Sequence, residues 1–108
     1  MAFHAFRIYQ LKDITNTDYA FRDFDCAKEH GFSLDDYEKR FTGTIEFDGT
    51  LPQFLEEIFI IFNDYDEFKK QEFAEKFTGH SLSVSDLVKV EGRYYYVDDI
   101  GFKEVDFI

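Results

Sequence analysis

The chain has 108 residues, of which 44% are hydrophobic and 20% aromatic, with fifteen Phe and seven Tyr; that is one domain's length and far too apolar for a disordered segment. Twenty-three acidic side chains stand against twelve basic ones, a net charge of −11 at pH 7, so the surface repels nucleic acid and anionic membrane and suits a basic partner. Cys26 is the sole cysteine, which excludes an internal disulfide, and the absence of a basic-then-apolar leader completes the expectation of a cytoplasmic protein.

Phe3 to Leu11 reads as a strand. Phe3, Ala5, Tyr9 and Leu11 share one face and Phe6 and Ile8 the other, so the strand belongs inside a sheet rather than at its edge. Asp13 to Asp18 is polar and loop-like. Arg22 to His30 suits a short helix, with Gly31 as the residue that turns the chain left-handed after it. Tyr37 to Phe47 alternates most clearly. Tyr37, Phe41, Ile45 and Phe47 lie on one face, against Glu38, Arg40, Thr42, Thr44 and Glu46 on the other. This predicts an antiparallel strand with one wet side, and Gly43 is the expected place for a bulge. Asp48-Gly49 signals a turn.

Thr50 to Asn63 is the strongest helix. Thr50 and Gln53 have capping-box spacing, and Pro52 falls in the first turn, where its missing donor costs little. Leu51, Phe54, Leu55, Ile58, Phe59, Ile61 and Phe62 form one broad apolar face. Asp66 to Phe77 reads as a second helix that aligns Phe73 with Phe77 and turns Phe68 away. Leu87 to Val90 and Arg93 to Val97 flank Glu91-Gly92 as a hairpin. Ile100 to Phe107 is a third segment, whose change of phase between Phe102 and Val105 implies a bulge or a strand end. No linker or repeat interrupts the chain, so 1–108 is taken as one domain. Its class is α+β: a mostly antiparallel sheet of about five strands, packed on one face by one long helix and one or two shorter ones.

Little in the sequence reads as a catalytic or cofactor site. His4, His30 and His80 are scattered and Cys26 is alone, so no zinc spacing exists. Asp64, Asp66 and Glu67 lack the pattern of a calcium loop. The single glycines form no phosphate cradle. His80, Ser81 and Asp86 make a Ser/His/acid set on paper only, with no nucleophile elbow. The expectation is a protein that is not an enzyme and holds no metal or cofactor. Lys and Arg are interspersed with acids, which argues against direct nucleic-acid binding. The long helix carries the surface of most interest. On its outer side Ile60 is ringed by Gln53, Glu56, Glu57 and Asp64, with Asp66 and Glu67 just beyond. An apolar anchor among carboxylates suits a basic, partly apolar partner protein. A lone exposed aliphatic is also common on surfaces, and the following segment is a candidate to cover it.

The run Phe77-Thr78-Gly79-His80-Ser81-Leu82-Ser83-Val84-Ser85-Asp86-Leu87-Val88, the later Tyr95-Tyr96-Val97-Asp98-Asp99-Ile100-Gly101-Phe102 and the opening Ile8-Tyr9-Gln10-Leu11-Lys12 together resemble the YodL-like family of small domains from Firmicutes mobile elements. Asp99 stands where a small polar residue is expected, and Asp64 to Lys76 is longer than usual. The central motif reads as scaffold: Gly79 permits an unusual backbone angle, Ser83 and Ser85 bond nearby backbone and hold a turn, and Leu82 and Val84 pack inward. His80, Ser81 and Asp86 fall within it. The resemblance implies plasmids, conjugative elements and phages, where proteins disarm host defences. From it comes the expectation of an anti-CRISPR protein whose carboxylates replace phosphates in the basic channel of a Cas9-type or other defence nuclease. Two alternatives stay open: a regulator of an actin-like cell-shape protein, and an interaction module of larger plasmid proteins.

Overall fold

In the computed structural model, which describes residues 2–77 and 79–106, five strands form a single antiparallel sheet. They are β1 (Phe3–Leu11), β2 (Tyr37–Glu46), β3 (Leu87–Val90), β4 (Arg93–Val97) and β5 (Phe102–Val105), in the spatial order β2-β1-β3-β4-β5. The α+β class holds. Thr78 of the central motif and Phe107 of the last segment lie outside the described residues.

β1 is an interior strand, as its two apolar faces require. Phe6 and Ile8 enter a core with Val88, Val90, Tyr95 and Val97, under the long helix. Leu11 enters a second core on the opposite face with Tyr19, Ala27, Tyr37, Leu87, Tyr96 and Val105. Coverage on one face only was too simple: the 19–37 segment roofs part of the other face. Within it lies helix α1 (Phe24–Glu29), capped by the Asp23 carboxylate on the Cys26 amide. Gly31 follows at φ +77°, the left-handed position expected for it. Cys26 is half-buried against the second core.

β2 serves both cores, and this overturns its simple alternation. Ile8 faces Phe41, but Tyr9 faces Lys39, so Arg40 is an extra residue. One added residue turns the rest of a strand to the other face. Tyr37 therefore joins the second core while Phe41 and Ile45 join the first. The bulge is at Arg40, not Gly43. Gly43 sits in regular pairing with Phe6, and a Cβ there would overlap the Phe41 ring.

The long helix, α2 (Leu51–Ile61), begins with the capping box formed by Thr50 and Gln53. Phe54, Leu55, Ile58 and Ile61 are buried against the sheet, and the C-capping Phe62 with them. The expected second helix does not form as one piece. A single turn, α3 (Tyr65–Phe68), is followed by irregular chain and a 3-10 turn at Ala74–Lys76. The break brings Phe68 back toward its neighbours, 6.2 Å from Phe73 and 5.8 Å from Phe77, ring centre to ring centre. Phe62 stacks on Phe73 at 5.7 Å. Ring contacts, not helical spacing, set the path here.

The β3–β4 hairpin turns at Glu91 and Gly92, both at positive φ (52° and 80°), as a two-residue primed turn requires. β5 pairs with β4 in unbroken register. Its change of phase is not a bulge: Phe102 packs on the first core and Val105 on the second, because both faces are covered. Ile100 precedes this strand in a tight turn and is 93% exposed. Among the described residues, no helix is long and apolar enough to cross a membrane.

Candidate functional site

The 79–86 motif builds a buried polar knot at the start of β3. Gln10 is fully buried on the α2 side of β1. Its Nε2 donates to the His80 carbonyl at 2.9 Å and to Asp86 Oδ2 at 3.1 Å, and its Oε1 accepts from the His80 amide at 3.3 Å. Gly79 is required for this approach, since a Cβ would strike Gln10 Oε1 and the Phe77 ring. Its role is close contact rather than an unusual backbone angle. The Ser83 amide donates to Asp86 Oδ2 at 2.8 Å and the Asp86 amide to the Ser83 carbonyl at 3.0 Å, closing a turn. Ser83 Oγ donates to the Ser81 carbonyl at 3.0 Å.

Ser85 ties the knot to three other elements. It is buried with φ +83°, a left-handed conformation that a non-glycine residue adopts at a cost. Its amide donates to the Val97 carbonyl at 2.9 Å, and its Oγ accepts from the Phe21 amide at 2.9 Å. Its carbonyl accepts from the Tyr37 hydroxyl at 2.5 Å. Burial pushes the Tyr37 phenol well above its ordinary range, so it stays a donor. Burial also pushes the Asp86 carboxyl up, to about 7, against the pull of the Ser83 amide, His80 and Gln10. The paper triad does not assemble as one. His80 Nδ1 lies 2.7 Å from the Ser81 carbonyl and 4.0 Å from Asp86 Oδ2. Leu82 is buried and Val84 half-buried.

The residues singled out around α2 divide by duty. Gln53 Oε1 accepts from the Thr50 amide at 2.8 Å and is occupied in the helix cap. Asp64 caps α3, accepting from the Asp66 and Glu67 amides at 3.0 and 3.4 Å. Asp66 pairs with Lys69 at 3.3 Å and Glu67 with Lys70 at 3.0 Å. Glu56, Glu57 and Ile60 remain. Ile60 is 42% exposed and lies one helical turn after Glu56, on the same flank. The segment after α2 therefore does not bury it.

Glu56 has company that sequence reading missed. It shares a recess of about 190 Å³ with Asp98 and Asp99, over a floor that includes Phe59, Val97 and Phe102. Asp98 Oδ1 is held by the Phe24 and Asp99 amides at 3.1 and 2.9 Å, which fixes that carboxylate in place. Ile100, in the same turn, is 93% exposed. The signal available was an acidic pair beside an apolar residue and Gly101. The sheet order brings that turn to α2, and local spacing does not encode it. Among the described residues, no three or more His, Cys, Asp or Glu side chains gather as a metal ion requires.

A protein of Acanthamoeba polyphaga mimivirus, itself uncharacterized, is 34% identical over 95 residues, covering 82% of this chain and 88% of the viral protein. No solved structure matches. The family model of the YodL-like domain matches residues 5–107, spanning the β1 opening, the 79–86 knot and the β4–β5 turn. The chain belongs to the family of YodL-like domains.

Proposed function

We propose that this domain acts by binding, not by catalysis, and that its binding face is the acidic recess between α2 and the β4–β5 turn. The observation that carries this is the gathering of Glu56, Asp98 and Asp99 around a half-buried aromatic floor of Phe59 and Phe102, with Ile60 one helical turn after Glu56 at 42% exposure and Ile100 next to Asp99 in the chain at 93%. Carboxylates at the rim of an apolar patch give a basic partner both electrostatic steering and an anchor. A chain with net charge −11 adds long-range attraction toward such a partner. The partner class we assign is the basic nucleic-acid channel of a host defence nuclease, of Cas9 type first. Support for that setting comes from the mobile-element resemblance and from the viral relative.

The test uses purified protein and a Cas9–guide complex cleaving a DNA target. Inhibition should fall as salt is raised, because exposed charge is screened over roughly 10 Å at 0.1 M. The double reversal Glu56→Lys and Asp99→Lys, both at exposed positions, should abolish inhibition. Unchanged inhibition by the double variant would show that another surface binds.

A further inference from the structure

β2 stands at the edge of the sheet and is ten residues long. The Phe47 amide donates to the Ala2 carbonyl at 2.9 Å. Bonded and non-bonded pairs alternate along an antiparallel ladder. Ile45, Gly43 and Phe41 therefore direct their backbone groups at β1, through His4, Phe6 and Ile8. Thr44, Thr42 and Glu46 direct theirs outward, away from the sheet. An outward row of amides and carbonyls is a template for another strand.

A groove of about 590 Å³ runs along this edge, beneath an overhang from α2 and the 70–76 segment. Its apolar wall is Phe41, Ile45, Phe47, Ile61 and Phe73. Its rim carries Glu46, Glu57 and Glu72, none of which has an ion-pair partner among the described residues. Of the two lysines there, Lys70 is already held by Glu67 at 3.0 Å, which leaves Lys76 against three carboxylates. The bulge at Arg40 limits the regular edge to the stretch after it.

We propose that the β2 edge from Thr42 to Glu46 accepts an extended segment of a partner protein as an added strand, with apolar side chains turned into the groove and basic side chains along the rim. Backbone bonds to Thr42, Thr44 and Glu46 supply the attachment, and alternate side chains supply the selection. A second copy of this chain fits the edge less well, because pairing two such edges sets acidic rim against acidic rim on chains of net charge −11 each. This edge is a different surface from the recess at Glu56 and stands whether or not the recess binds a nuclease.

The probe is a blocked eight-residue peptide alternating valine and lysine, and the readout is amide hydrogen exchange by NMR. Peptide should slow exchange at Thr42, Thr44 and Glu46 and leave Gly43 and Ile45, already bonded to β1, as they were. Thr44→Pro removes one outward donor without touching the β1 ladder, as proline on an edge strand allows, and should weaken binding by about tenfold or more. Glu72→Lys, at an exposed rim position, should also weaken it and serves if the proline variant fails to fold. Unaltered exchange at millimolar peptide would overturn the proposal. So would full binding by Glu72→Lys together with a folded Thr44→Pro. Amides at Thr42, Thr44 and Glu46 that are already protected without peptide, in a chain that sediments as a dimer, would assign the edge to a second copy instead.

Discussion

Replacing Asp86 by asparagine isolates the contribution of one buried carboxyl to the pH dependence of folding. Asp86 is 2% exposed, and its Oδ2 accepts from both the Gln10 Nε2 and the Ser83 amide. Its proton leaves near pH 7 in the folded chain, against 3.8 for an unburied aspartate. From pH 4 to 7 the folded state holds a proton that the unfolded state has released. Stability from this group is thus complete below the lower value and drains away as pH rises to the upper one. Three pH units at 1.36 kcal/mol each set a ceiling of about 4 kcal/mol for the loss. Arg40 and His80 both favour the charged form, and the value near 7 already includes their pull. The asparagine amide keeps an acceptor oxygen for both bonds and carries no charge. The D86N chain should gain on wild type by about 1–3 kcal/mol between pH 4.5 and pH 8. Urea unfolding from pH 4.5 to 8 measures this. The other carboxylates are common to both chains, so only the difference between the profiles matters. Parallel profiles would refute the reasoning and mean that the carboxyl is ionised in the folded protein at every pH tested.

Tyr37→Phe removes the donor to the Ser85 carbonyl inside the second core; it should cost about 1–3 kcal/mol in urea unfolding, and a loss under about 0.5 kcal/mol would mean that the carbonyl has another donor. Glu91→Asn keeps the hairpin turn but places a residue that tolerates φ of 52° there. It should add about 0.5–1 kcal/mol and raise the melting temperature by about 2–8 °C. No gain in a thermal melt would show that positive φ at Glu91 is not a source of strain.

Much of the fold was legible because local rules and tertiary needs agree. The two apolar faces of β1, the Thr50–Gln53 capping box and the Glu91-Gly92 turn each carry their signal within a few residues. Arg40 defeated the same approach, because a bulge is decided by the partner strand and Arg40 has no turn chemistry to announce it. The path from Asp66 to Phe77 failed for a related reason: Phe68, Phe73 and Phe77 converge on Phe62, a contact that helical spacing does not describe. Gln10 was open to discovery, since it keeps step with Phe6 and Ile8 and so must point inward. The assembly of Glu56 with Asp98 and Asp99 was not, because only the strand order places them together.

The extra residue at Arg40 gives the chain a spacer whose length matters more than its chemistry. Exchanging that side chain disturbs a half-buried surface group. Excising the residue would instead rotate everything before it by half a turn, pulling Tyr37 out of its cluster and breaking its tie to Ser85. Insertions and deletions, rather than point changes, are the lesions this strand is least built to survive.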